Sequence, residues 1–193
     1  MPDSTTAKQP GKRERLVASA AELVYRQGAQ RTTLAQVAEA ADVPLGNVYY
    51  YFKTRDDLLR AVVDAQELEI ATMLRGLDAK ASPKARLQGL TRNWLDRADE
   101  VGEVGCPIGG LTMDLAKDDG ELHQCSEVLL RVIVDWSTRQ FRELGYRDAS
   151  ARAVSLIASV QGASLLAQAF GDPQLLVREI RRLERQISEL DQA

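Results

Sequence analysis

Between Thr33 and Phe52 two short helical patterns are separated only by Asp42-Val43-Pro44. In the first, Leu34, Val37, Ala38 and Ala41 recur at spacings of three and four, which places them on one face of a helix. Thr33 and Gln36 ahead of it form an S/T-x-x-E/Q capping box. Pro44 breaks the pattern and, with its φ preset, suits an early position of a following helix that runs to about Phe52. A longer stripe precedes both. From Lys12 onward, Leu16, Ala20, Leu23 and Val24 share a face, and Gly28 stands where a left-handed residue would end it. A supporting helix followed by two short ones across a tight turn is a helix-turn-helix, whose second member is the one able to enter a major groove. Thr54 caps a fourth helix, with Asp56 and Asp57 favouring its N-terminal dipole.

The second short helix carries Tyr49, Tyr50, Tyr51 and Phe52 in a row, four of the ten aromatic residues in the chain. Consecutive helical residues turn by about 100°, so the four sweep about 300° of the circumference. No single core can bury them all. At least one or two tyrosines face outward, a role that suits an apolar ring with a hydroxyl in need of a partner.

The rest of the chain reads as almost entirely helical, with helices expected at 55–78, 83–101, 108–117, 119–145, 148–170 and 173–191. Pro83 and Pro173 mark starts, and Gly145 and Gly171 mark ends. No alternating strand pattern is present. The expected fold is all-α, with about nine helices: a flexible tail over 1–11, a helix-turn-helix head over 12–60 and a larger helical body over 61–193. In the last helix Leu176, Ile180, Leu183, Ile187 and Leu190 form a seam at spacings of 4, 3, 4 and 3. Leu156, Ile157, Val160, Ala163, Ser164 and Ala167 form a stripe rich in small residues on the helix before it. Two readings follow. Either both stripes face the core of one chain, or they pair with their copies in a second subunit as a four-helix bundle.

The net charge of −3 argues against wholesale coating of nucleic acid. Its distribution is uneven. Residues 1–60 hold 9 Lys/Arg and 7 Asp/Glu, while the remainder holds 16 and 21, so a mildly basic head precedes an acidic body. One histidine, His123, and two cysteines, Cys106 and Cys125, leave little from which to build a zinc site or a catalytic centre. No metal, cofactor or enzymatic activity is expected. The polar N-terminus has no secretory apolar region, and no apolar run approaches the roughly 20 residues of a membrane span. The expected address is the cytoplasm.

With the helix-turn-helix placed, residues 12–60 resemble the DNA-binding head of the tetracycline-repressor (TetR) family. The resemblance is carried by Gly28, Thr32, Thr33, Val37, Ala38, Ala41, Val43, Gly46, Tyr49, Phe52, Lys53 and Leu58, and most specifically by the stretch GNVYYYFKTRDDL. It implies a homodimer on a palindromic double-stranded operator and a body whose small-molecule effector changes the separation of the heads. It also implies a ligand-responsive regulator, most simply a repressor, with no membrane partner. The alternative on the same fold is an effector-independent DNA-binding structural or division-control protein. At the matching positions, Thr32 and Thr33 would offer hydroxyls near phosphate, and Gly46 would let the backbone approach the bases. Tyr50 and Tyr51 would donate to phosphates. Tyr49 and Phe52 would be partly buried anchors, although the first tyrosine can also touch phosphate. Lys53 and Arg55 would supply charge, and Leu45 and Asn47 would meet base edges. Two departures stand out: Pro44 replaces a common serine, and Leu45 a common polar residue.

In the body, EVGCPIGGLTMDL (103–115) has the glycine spacing of a phosphate loop but Leu111 in place of its lysine, and it reads instead as a Gly-Pro linker opening a helix. Cys106 has two readings there, a small packing residue or a thiol poised near a helix N-terminus. Trp94, Met113, Trp136 and Phe170, with Cys106, either line an apolar ligand pocket or belong to the ordinary core.

Overall fold

The computed structural model describes residues 10–117 and 121–190, and these divide into two compact units, 1–62 and 63–193. Most of the tail at 1–11, the start expected for the helix at 119–145 and the end expected for the helix at 173–191 lie outside the described residues.

The first unit contains α1 (Lys12–Gln27), a short 3-10 turn (Ala29–Arg31), α2 (Leu34–Ala40), α3 (Leu45–Tyr51) and the opening of α4 (Arg55–Asp78). Its core is Leu16, Val24, Val37, Val48, Phe52, Leu58 and Leu59, all buried. The capping box forms as the sequence implies. Gln36 N–H donates to Thr33 Oγ1, and Gln36 Oε1 accepts from the Thr33 N–H at 3.0 Å.

The turn between α2 and α3 is a Schellman motif. Val43 N–H bonds Ala38 O at 3.0 Å, and Asp42 N–H bonds Glu39 O at 3.1 Å. Asp42 takes the left-handed position, with φ 51°. A glycine usually sits there, but aspartate is among the few residues that tolerate it. Buried Val43 then pins the turn to the core.

The second unit holds the remainder of α4, α5 (Pro83–Leu95), α6 (Ala98–Val104), α7 (Pro107–Leu115), α8 (Glu121–Glu143), α9 (Ala149–Phe170) and α10 (Pro173–Ser188). Ser82 and Asp172 cap α5 and α10, each ahead of a first-turn proline. Gly145 and Gly171 follow α8 and α9 with positive φ, as expected of helix ends. Helix α9 packs on α6, α8 and α10, and α10 packs on α5. Leu87, Leu90, Leu129, Ile133, Trp136, Leu176 and Ile180 are fully enclosed.

Two expectations need correction. The helix at 83–101 is two helices, broken at Asp96 and Arg97. Trp94, Ala98 and Val101 keep helical spacing across the break and no Gly or Pro marks it, so periodicity alone joined them. In addition, α9 is long and apolar enough to cross a membrane by length and composition. Its inward face packs in the body instead, on Ala153, Ile157, Val160 and Ala167.

Candidate functional site

Helix α3 is anchored by Val48 on its inner side, and Phe52 closes its end. That fixes what faces out. Leu45, Gly46, Tyr49 and Tyr50 are exposed and Asn47 is half-buried. Tyr50 is the most open at 77%, and the Tyr51 ring meets it edge-on at 5.1 Å. Tyr49 is 49% exposed, so it is half-covered, while Val48 beside it is fully buried. A Cβ added at Gly46 would meet nothing within 4 Å, so the chain itself does not require glycine there. Its value is the bare backbone it shows to whatever approaches.

The polar residues around α3 divide in two. Lys53 Nζ donates to Tyr49 O at 2.9 Å, placing an exposed ammonium at the C-terminal end of the helix. Thr33 is exposed at the start of α2. Thr32, by contrast, is 3% exposed, and its hydroxyl donates to Gly28 O at 3.0 Å. Arg55 donates to Ala29 O at 2.6 Å and is half-buried, tying the start of α4 to the 3-10 turn. Thr32 therefore turns inward, and Arg55 ties two elements of the head together with one of its guanidinium nitrogens. At the head of α4 the Thr54 and Asp57 side chains cap one another's backbone N–H groups at 2.9 and 3.0 Å. The N–H and hydroxyl of Thr54 hold the Asp57 carboxyl below the usual carboxylate range.

The body holds a cavity of about 190 Å³ between α4, α5, α6 and the start of α7. Trp94 and Cys106 both line it, with Ile70, Met73, Val101 and Ile108. Cys106 is the N-cap of α7. Its sulfur accepts from three N–H groups: Trp94 Nε1 at 3.4 Å, and Gly109 N and Gln161 Nε2 at 3.5 Å each. The other candidates do not join them. Trp136 is buried against α4, where its Nε1 donates to Asp78 Oδ1 at 2.8 Å, beside a separate groove. Met113 is 64% exposed on α7, and Phe170 is 71% exposed at the end of α9.

The seven residues expected at a subunit interface, Leu156, Val160, Ala163, Leu176, Ile180, Leu183 and Ile187, are all buried within the single chain. They are the contact of α9 and α10 with the body. The residues that sequence reasoning missed are on the opposite face of α9: Val154, Leu165, Leu166 and Phe170, all exposed. The available signal was charge. No Lys, Arg, Asp or Glu lies between Arg152 and Asp172, although a surface helix normally has a polar outer face.

These features agree with the comparisons. Residues 16–62 match the family model described as bacterial regulatory proteins of the tetR family. Residues 83–181 match that of the LmrA/YxaF-like transcriptional regulator C-terminal domain. The uncharacterized HTH-type transcriptional regulator in the dhlA 5′ region of Xanthobacter autotrophicus is 32% identical, over 83% of this chain and 81% of its own. The HTH-type transcriptional regulator BetI of Paraburkholderia phymatum is 30% identical, over 84% of each chain. Among solved structures, a TetR transcriptional regulator from Legionella pneumophila superposes with a TM-score of 0.83 at 21% identity, over 93% of this chain and 98% of its own. The head, the body and their likeness to these regulators together place the chain in the TetR family of transcriptional regulators.

Proposed function

We propose that this chain is a ligand-responsive repressor that binds a palindromic operator as a homodimer and leaves it when a small effector occupies the body. The observation that carries the reading is the outward face of α3. Leu45 and Asn47 meet base edges at the start of the helix, where leucine suits a thymine methyl and asparagine suits adenine. Gly46 lets that turn come close. Tyr50 and Tyr51, with Thr33 and Lys53 at its margins, grip phosphates and set register.

The second copy docks on the outer face of α9. A helix apolar on both sides is normally buried on both. A two-fold partner covers Leu165 and Leu166 with the same residues of its own. Gly162 lies between the exposed Ala158 and Leu165/Leu166, and a Cβ there would meet nothing within 4 Å in the chain, which leaves backbone bare for a neighbouring helix. The cavity favours effector control over the effector-independent alternative. Occupancy would shift the population of dimers away from the head spacing that two successive major grooves demand. We place the protein in the cytoplasm with its DNA.

The test is a gel shift of the purified protein on DNA flanking its own gene, at fixed salt and with scrambled competitor. Competitor-resistant binding that requires both half-sites is expected. Binding that is equally strong on scrambled DNA would overturn the reading.

A further inference from the structure

The cavity beside Trp94 has properties that select among small molecules, and the following inference rests on the reading of it as an effector site. We infer that it takes a neutral molecule of a single ring carrying one hydroxyl or amino group, and that it rejects carboxylates and fused rings.

Size is the first constraint. At about 190 Å³, the space falls short of the roughly 300–1,000 Å³ of drug-sized sites. It is close to the apolar cavity of about 150 Å³ that holds benzene. A molecule of about six to ten non-hydrogen atoms fits that scale.

The inner wall sets the polarity. Ile70, Trp94, Val101 and Cys106 are buried, and Met73 and Ile108 complete the lining. The polar atoms among the four buried ones already serve each other. The indole N–H of Trp94 is used by Cys106 Sγ, and that sulfur, a weak acceptor, also takes the Gly109 and Gln161 N–H groups. Among the described residues of this wall no buried side-chain donor is left to solvate a ligand charge, and an unsolvated ion is the costliest group to place there. The inner end of the ligand is therefore apolar, with the flat indole to pack against.

The mouth sets the substituent. Gln66, Glu69, Asn93 and Arg97 stand there. The Asn93 amide nitrogen is occupied by Gly89 O and Leu90 O at 3.0 and 3.3 Å, so its carbonyl oxygen is the end that can meet a ligand. Glu69 accepts from Gln66. The Arg97 charge is answered by Glu100 at 2.9 Å. Arg97 and Gln66 keep N–H groups at the water-facing rim, but with Glu100 set against Arg97 the mouth carries an excess of one carboxylate, and Asn93 Oδ1 and Glu69 are its acceptors. They welcome a donor, and the excess charge disfavours an anion.

The experiment is titration calorimetry of the full chain at neutral pH with three probes: p-cresol, benzoate and 1-naphthol. We expect p-cresol to saturate at one per chain, with benzoate and 1-naphthol each weaker by about tenfold or more, a difference of about 1.4 kcal/mol. Ile108→Trp fills the cavity from its half-buried edge and should weaken p-cresol by at least about tenfold with helicity unchanged; Met73→Phe is the second variant should the first lose its fold. Absence of p-cresol binding, benzoate or naphthol binding as tightly, or an unaffected affinity in both folded variants would each overturn the inference. A gel shift with saturating p-cresol separates the two readings. Saturable binding that leaves operator affinity unchanged would uphold the ligand class and sink the effector role.

Discussion

The indole N–H of Trp94 points at the sulfur of Cys106, 3.4 Å away, and closes a contact between α5 and the turn that begins α7. Twelve residues apart in sequence and separated by α6, the two side chains form one wall of the cavity. The sulfur is the shared acceptor of three N–H groups, so its loss should be felt more than its size suggests. Cys106→Val fills the same space but leaves a buried indole N–H unsatisfied, which costs about 1–3 kcal/mol. Cys106→Ser keeps an acceptor and should cost less. Trp94→Phe removes the donor as well as the cap on the wall. In urea unfolding, the Trp94→Phe/Cys106→Val pair should cost less than the sum of the two single changes. Additive costs would show that the contact is incidental.

On α3 the exposed hydroxyl and the half-buried amide should separate affinity from specificity. On the proposed docking of α3, Tyr50→Phe removes the hydroxyl offered to phosphate and should weaken binding to every sequence alike. On the same docking, Asn47→Ala removes the amide offered to a base edge and should relax selection at one position by about 1–3 kcal/mol. Selection of bound fragments from a random pool, with affinities at two salt concentrations, reads both. Arg55→Lys is the control: with its guanidinium on Ala29 O, it should lower the melting temperature of the head before it alters sequence preference.

How legible this was in the sequence depended on whether a signal was local. The capping box at Thr33 and Gln36, the prolines at 83 and 173 and the glycines at 145 and 171 are local, and the helices start and stop there. The paired role of Trp94 and Cys106 needed only that the chain return on itself once. The break at Asp96 and Arg97 has no local marker. Thr32 and Thr33 look equivalent in sequence, but the first turns inward to Gly28 O while the second caps α2. The seam on α10 fits equally an inner face and a subunit interface, because both need the same spacing. The seven candidates are buried within the single chain, whereas Leu165 and Leu166 are exposed on α9.

The proposed interface on the outer face of α9 has its own test. Leu165→Glu places a charge on the outward face of α9 and should shift the protein to monomer in sedimentation equilibrium, with helicity and melting of the body nearly unchanged. Ile180→Ala should do the reverse. It opens a void in the core and costs about 2–5 kcal/mol of stability without selectively breaking the dimer. If Leu165→Glu stays dimeric and Ile180→Ala dissociates while folded, the interface is on the α10 seam after all.

The left-handed backbone at Asp42 makes the turn between α2 and α3 sensitive to substitution. Asp42→Val forces a β-branched residue into that conformation and should cost about 1–2 kcal/mol. Asp42→Gly relieves the steric term at the expense of chain entropy, and should stay within about 1 kcal/mol of the parent. Operator affinity should follow stability only in the valine variant, where the turn that aims α3 is strained.

Acid should loosen the head at the start of α4. The carboxyl of Asp57 is held below its ordinary value by the Thr54 backbone N–H first and the Thr54 hydroxyl second. A group with a depressed folded-state pKa contributes stability that is fully present above its unfolded value and is lost as pH falls through the folded one. The cap is therefore intact at neutral pH and weakens only when the solution drops below the ordinary aspartate range. Asp57→Asn has no such proton to gain. Its melting temperature should lie below that of the parent near neutrality, and the gap should narrow on acidification. Asp148 shifts in the same direction through Arg152, but it is common to both proteins, so the difference between their profiles isolates Asp57. A gap that stays constant or widens in acid would mean that the Thr54–Asp57 box does not stabilise the folded head through the ionised carboxylate.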